Sequence, residues 1–138
     1  MNTTEELTGT LVLVHPDLKN DPGRKWGEIG VVTGADLRND NIYVGFGRNG
    51  QGAYGSDALL IMKPPAAIYK QLEEQKATLN TNDYKALFQI ALMLEYQQSS
   101  TNVKNAIGLA LRSDTVRNMS MVSVEDALGL KREQMVER

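Results

Sequence analysis

The stretch Trp26–Tyr54, WGEIGVVTGADLRNDNIYVGFGRNGQGAY, decides how this chain is read. It holds Gly-x-Gly-x-x-Gly at Gly45, Gly47 and Gly50, a spacing with which some proteins cradle nucleotide phosphates. That chemistry needs a strand, a tight turn and then a helix whose first N–H groups meet the pyrophosphate. The segment NIYVGFG (41–47) is strand-like, with Ile42, Val44 and Phe46 on one face and Tyr43 on the other. QGAYGSDALL follows it, and that stretch has no helical pattern. Kinases set the same glycines on a hairpin, but the chain carries no His-Arg-Asp or Asp-Phe-Gly and no matching lysine strand. Asn49-Gly50 is a hairpin signal, because both residues tolerate positive φ. The glycines therefore read as corners of a small sheet, and no nucleotide or other cofactor is expected.

Outward from this stretch, TLVLVH (10–15) alternates, with Leu11, Leu13 and His15 on one face. GEIGVVTG (27–34) is a second strand, and AYGSDALLIM (53–62) reads as a fourth with a kink near Gly55-Ser56. Several short strands separated by Gly-rich turns predict a small closed barrel or rolled sheet, since open edges invite aggregation. The run DPGRKWGEIGVV (21–32) resembles the start of KOW-type and related SH3-like small barrels, where a glycine lets the chain bend sharply into the second strand. The resemblance covers about residues 9–62 and extends to uncharacterised bacterial proteins of this layout. It implies an SH3-like β-barrel. The acidic and aromatic signature of proline-peptide-binding SH3 domains is absent, as are the basic loops of ribosomal KOW modules.

The chain changes character at Lys63-Pro64-Pro65, where paired prolines interrupt regular structure. Helical periodicity follows. PAAIYKQLEEQKATL (65–79) aligns Ile68, Leu72 and Leu79. NDYKALFQIALMLEYQQ (82–98) aligns Tyr84, Leu87, Phe88, Ala91 and Leu94, with Ile90 and Met93 widening a face expected to be buried. TNVKNAIGLALR (101–112) repeats the pattern, and Ser123 opens a last helix as an N-cap with Asp126 three residues on. Residues 113–122 read either as a loop or as a short strand added to the barrel. The expected fold class is α+β: an SH3-like β-barrel module over residues 1–63, then a helical segment over 64–138 packed on or beside it.

Composition narrows the function. The 138 residues are 41% hydrophobic and 23% charged, ordinary globular values. Net charge is −2, with six basic and eight acidic groups in residues 1–63 and nine of each in 64–138. Neither half has the cationic excess that drives phosphate binding, so nucleic acid is a disfavoured partner. With no cysteine, disulfides, thiolate metal sites and cysteine nucleophiles are excluded. The N-terminal residues have no secretory pattern, and no apolar run approaches the roughly 20 residues of a membrane span. A cytoplasmic protein with no membrane partner is expected.

The candidate binding residues are aromatic and basic: Trp26, Tyr43 and Tyr54, with Arg24, Lys25 and Arg48. In a small barrel they form either a shelf for a peptide or stacked bases, or cover for a thin core. Asp17, Asp21, Asp36 and Asp40 lack calcium-loop spacing and read as turn formers. His15 has no nucleophile context, and the methionines Met93, Met119, Met121 and Met135 read as packing side chains or a soft partner surface. No catalytic, cofactor-binding or metal residue is assigned. The function expected is a non-enzymatic protein–protein interaction module, its partner an unknown protein or a second copy by self-association. The alternative is a nucleic-acid-binding small-barrel protein. A toxin-type ribonuclease is a third reading, with no acid–base pair to carry it.

Overall fold

Alternating β-branched residues and Gly-rich corners generate the strands of the first half. A computed structural model describes residues 7–18, 25–96 and 99–129. The chain divides into two units, Met1–Ile61 with Ser123–Arg138, and Met62–Val122.

The strands are β1 (Leu11–Val14), β2 (Ile29–Asp36), β3 (Asn41–Gly45), β4 (Gln51–Tyr54), β5 (Leu59–Met62) and β6 (Met121–Ser123). Their order is β4-β3-β2-β1-β5-β6, and β1–β2, β1–β5, β2–β3 and β3–β4 pair antiparallel. This overturns the expected SH3-like closed barrel: the sheet is open. The stretch 53–62, expected as one kinked strand, is two strands broken at Gly55–Ala58. Ser56 N–H is drawn off by Asp40 Oδ1 at 3.0 Å, and Ala58 N–H donates to Gly55 O in a turn. In a flat sheet β4 and β5 would stand about 19 Å apart, further than that turn reaches, so the sheet curls. Strands β4 and β6 are the two edges of the order, and among the described residues no ladder joins them, so the sheet stops short of closure. Edge β4 is short, and its outward residues Gln51 and Ala53 offer little apolar surface.

The inner face carries the core of this unit. Val12, Val14, Val32, Ile42, Val44 and Leu59 are buried completely or nearly so, joined by Phe46, Tyr54 and Ala58. Alternation along β3 is as expected, Ile42 and Val44 inward and Tyr43 outward. Gly30 leaves no room for a side chain between β2 and the end of β3. A Cβ there would fall onto Val44 Cγ1 and within 2.9 Å of Gly45 O and Phe46 Cδ1. The register shifts at Val32/Gly34, a bulge that adds local twist. The ADLRNDN corner is turn chemistry: Asn39 Nδ2 donates to Asp36 Oδ2 at 2.7 Å, and Asp40 takes the left-handed conformation at φ 56°.

A short helix returns to this unit from far along the sequence. Helix α5 (Val124–Leu128) is capped as expected, with Ser123 Oγ accepting from Asp126 N–H at 3.1 Å. Val124 is fully buried in the inner-face core with Leu128 beside it, and Glu125 N–H donates to Ser56 O. The sequence pattern predicts a helix running on to 138, but Gly129 closes it after Leu128 in the left-handed conformation at φ 73°, its N–H bonded to Asp126 O; residues 130–138 lie outside the described residues.

The second unit is helical: α1 (Pro65–Gln75), α2 (Thr81–Tyr96), α3 (Ser100–Ala110) and α4 (Asp114–Ser120). Pro65 opens α1 at a position where its missing N–H costs nothing. Asn80 caps α2, its Oδ1 accepting from Asp83 N–H at 2.8 Å while its Nδ2 returns a bond to Asp83. Ser99 and Ser113 cap α3 and α4 in the same way. Ile68 and Leu72, then Leu87, Ile90, Ala91 and Leu94, then Ala106, Ile107 and Ala110, then Val116, Ser120 and Met121 are the buried residues of this unit, and Ser120 Oγ donates to Val116 O at 2.7 Å. The ambiguous stretch 113–122 is thus mostly helix, with only its end in β6. Among the described residues no helix is long and apolar enough to cross a membrane.

Candidate functional site

The glycine pattern at Gly45, Gly47 and Gly50 closes the β3–β4 hairpin. Gly45 pairs with Gln51, and Phe46 N–H donates to Gly50 O at 2.8 Å across a five-residue loop. The turn differs from the two-residue Asn49-Gly50 corner expected. Gly47 (φ 64°) and Gly50 (φ 93°) take the positive angles, and Asn49 does not. A strand, not a helix, follows Gly50, so no row of helix N–H groups is aimed at a phosphate.

Trp26 is held by a backbone clamp. Glu28 N–H donates to Lys25 O at 2.9 Å, with Gly27 at φ 80°, the pattern of a type II turn with Trp26 at its first corner. Gly27 N–H donates to Val14 O and Val14 N–H to Glu28 O, tying the second half of the turn to β1. Trp26 is 47% exposed. Beside it the Lys25 ammonium sits 5.8 Å from the centroid of the Phe46 ring, within cation–π range. Behind Phe46, Tyr54 packs edge to face, centroids 6.3 Å apart. Arg48 is exposed in the hairpin loop that starts at Phe46.

The other candidates separate. Tyr54 is in the core, only 8% exposed, its ring lying across Gly52. Tyr43 is exposed on the outer face, but its register partner on β2 is Gly34, six residues beyond Glu28. That places it about 20 Å along the strand from the Trp26 turn. Arg24 lies outside the described residues. The structure therefore gathers Trp26, Lys25 and Phe46 with the Arg48 loop at one end of the sheet, and leaves Tyr43 towards the other.

The polar clefts are already engaged. A cleft of about 250 Å³ is bounded by His15, Asp17, Leu18, Asp57 and Ala58. Within it His15 Nδ1 accepts from Asp17 N–H at 3.1 Å, so that nitrogen serves the turn. A wider crevice of about 490 Å³ in the helical unit is lined by Asn80 and Asp83, which cap α2, together with Lys85 and Arg112. Among the described residues no three His, Asp or Glu side chains are placed to hold a metal ion.

Sequence reasoning missed one surface. Tyr84 and Phe88, read as part of the buried stripe, are 36% and 43% exposed, and with Leu92 and Tyr96 they form an apolar row along α2. Leu87, Ile90, Ala91 and Leu94, expected on the same face, do fill the core. A helix with apolar residues on most of its circumference offers two candidate inward faces, and periodicity alone does not choose between them. The four-residue repeat Tyr84, Phe88, Leu92, Tyr96 was the available signal. Tyr69 braces this row: its ring meets Phe88 edge-on at 5.9 Å, and its hydroxyl donates to Glu95 Oε1 at 2.9 Å. Burial, then the Glu95 acceptor and its charge, push the Tyr69 phenol above its ordinary value.

No protein-family model, curated protein or solved structure matches the chain.

Proposed function

We propose that the protein is a non-enzymatic, cytoplasmic protein–protein interaction module, with Trp26 as the anchor of one binding surface. One observation supports it above others: a large aromatic is half exposed on a hydrogen-bonded turn whose Gly27–Glu28 side is fixed to β1. A backbone held in this way loses little freedom on binding, and tryptophan is enriched among the residues that carry most of an interface's energy. Lys25 and Arg48 add polar contacts at its rim, and Tyr43 is a separate exposed aromatic rather than part of the same shelf.

A nucleic-acid reading draws on the same end of the sheet, because Trp26, Lys25 and Arg48 combine a stacking ring with two cations. The charge of −2 argues against it.

The test is capture from a lysate of the source cells with wild-type and Trp26→Ala proteins. A protein partner retained by wild type in about 0.5 M salt and after nuclease treatment, and lost by Trp26→Ala, supports the first reading. Retention that collapses with salt or nuclease favours the second. Equal capture by the variant removes Trp26 as an anchor.

A further inference from the structure

The exposed row on α2 has an internal symmetry. Counting from residue 90, Phe88 and Leu92 lie two positions to either side, Lys85 and Glu95 five, and Tyr84 and Tyr96 six. At 100° per residue, each pair also straddles the middle of the exposed face evenly, one member to the left and one to the right. Lys85, Phe88, Leu92 and Glu95 follow a 3-4-3 spacing, the seam spacing of helices that pack at about 20°. Phe88 and Leu92, 43% and 45% exposed, form the apolar middle of that seam. The charges at its two ends are opposite. Lys85 makes no ion pair or hydrogen bond among the described residues. Glu95 accepts the Tyr69 hydroxyl through Oε1, which holds the carboxylate on this face with acceptor positions to spare.

We propose that α2 is a self-association surface, docking antiparallel on α2 of a second copy of this chain about a two-fold axis at the level of residue 90.

In that arrangement Phe88 faces the partner's Leu92, and Lys85 faces the partner's Glu95. The two-fold axis makes each contact twice. Tyr84 and Tyr96 flank the seam and shield the ion pairs from water. The antiparallel sense follows from charge. Two α2 helices packed in parallel would set Lys85 against the partner's Lys85 and Glu95 against the partner's Glu95, which is repulsive at both ends. An unrelated apolar partner would have no need of this mirrored order. The seam spans about 15 Å of helix, smaller than a standard interface, so the dimer is expected to be weak and concentration-dependent. The inference does not depend on the Trp26 reading, which concerns the other unit.

The experiment is analytical ultracentrifugation of the full chain from about 1 to 500 μM, with far-UV circular dichroism to confirm that each variant is folded. Wild type should move from monomer to dimer across this range. Leu92→Glu places a charge in the middle of the seam and should remove association. Lys85→Glu and Glu95→Lys each set two like-charged contacts across the axis and should weaken association roughly tenfold. The double exchange K85E/E95K restores opposite charges and should return the association constant to within about threefold of wild type. Trp26→Ala should leave it unchanged, so the two readings fail separately. Wild type monomeric throughout overturns the proposal, as does a dimer indifferent to Leu92→Glu. A double exchange no better than the single variants overturns the antiparallel pairing.

Discussion

Replacing Gly30 by alanine measures how closely β2 and β3 approach. The added Cβ would land on Val44 Cγ1 and lie 2.9 Å from both Gly45 O and Phe46 Cδ1, where ordinary contact begins at 3.4 Å. None of the three yields easily. Val44 is fully buried and Phe46 is 8% exposed, so neither side chain can swing into water. Gly45 O belongs to the backbone of a strand in register with Val31, and moving it opens the ladder. Overpacking of this kind costs about 1–3 kcal/mol. Alanine recovers about 0.4–1 kcal/mol by restricting the unfolded chain. The net loss should be about 1 kcal/mol, or a fall of about 0.5 M in the urea midpoint at an unchanged slope. Fluorescence of Trp26 reads the transition, since it is the single tryptophan and lies in the same unit. Gly34→Ala is the internal control on the same strand. Its Cβ would meet only Tyr43 Cδ2, at 3.9 Å, and the change should fall within about 0.5 kcal/mol of neutral. Equal midpoints for the two variants would refute the close approach.

Gly50→Val should cost about 1–3 kcal/mol, because a β-branched residue is held at φ 93°, ψ −153° with no neighbour within 4 Å to blame; a wild-type denaturation curve would show that the loop takes another path. Millimolar ATP, GTP or NAD should leave the melting temperature unchanged, and an upward shift with any of them would mean that the hairpin glycines do bind phosphate. Val124→Ala removes two methyl groups from a fully buried site and should cost the sheet unit about 2 kcal/mol in the same Trp26-monitored titration; an unshifted midpoint would take α5 out of that core.

Element type was largely legible in the chain because it is a local property. Alternation marked β1, β2 and β3, and the strand after Gly50 argued correctly against a phosphate-binding helix. The Pro64-Pro65 junction opened α1, and Ser123 capped α5. Local chemistry placed a kink at Gly55-Ser56 but kept 53–62 as one strand; that the chain breaks there, with Ser56 N–H taken by the carboxylate of Asp40 from 16 residues away, was not legible. What the chain could not reveal was which neighbour each face would meet. The open sheet, where a closed barrel was expected, depends on whether two edges finish within hydrogen-bonding distance, the sum of twist and curl over every strand. Tyr54 and Trp26 look alike as aromatics among glycines, but Tyr54 lies on the inner side of a strand and Trp26 on the corner of a clamped turn. Along α2 the same ambiguity chose Leu87 and Leu94 for the core and left Tyr84, Phe88, Leu92 and Tyr96 outside. Periodicity gives the angle between side chains around a helix; only packing against the other helices fixes which angle points inward.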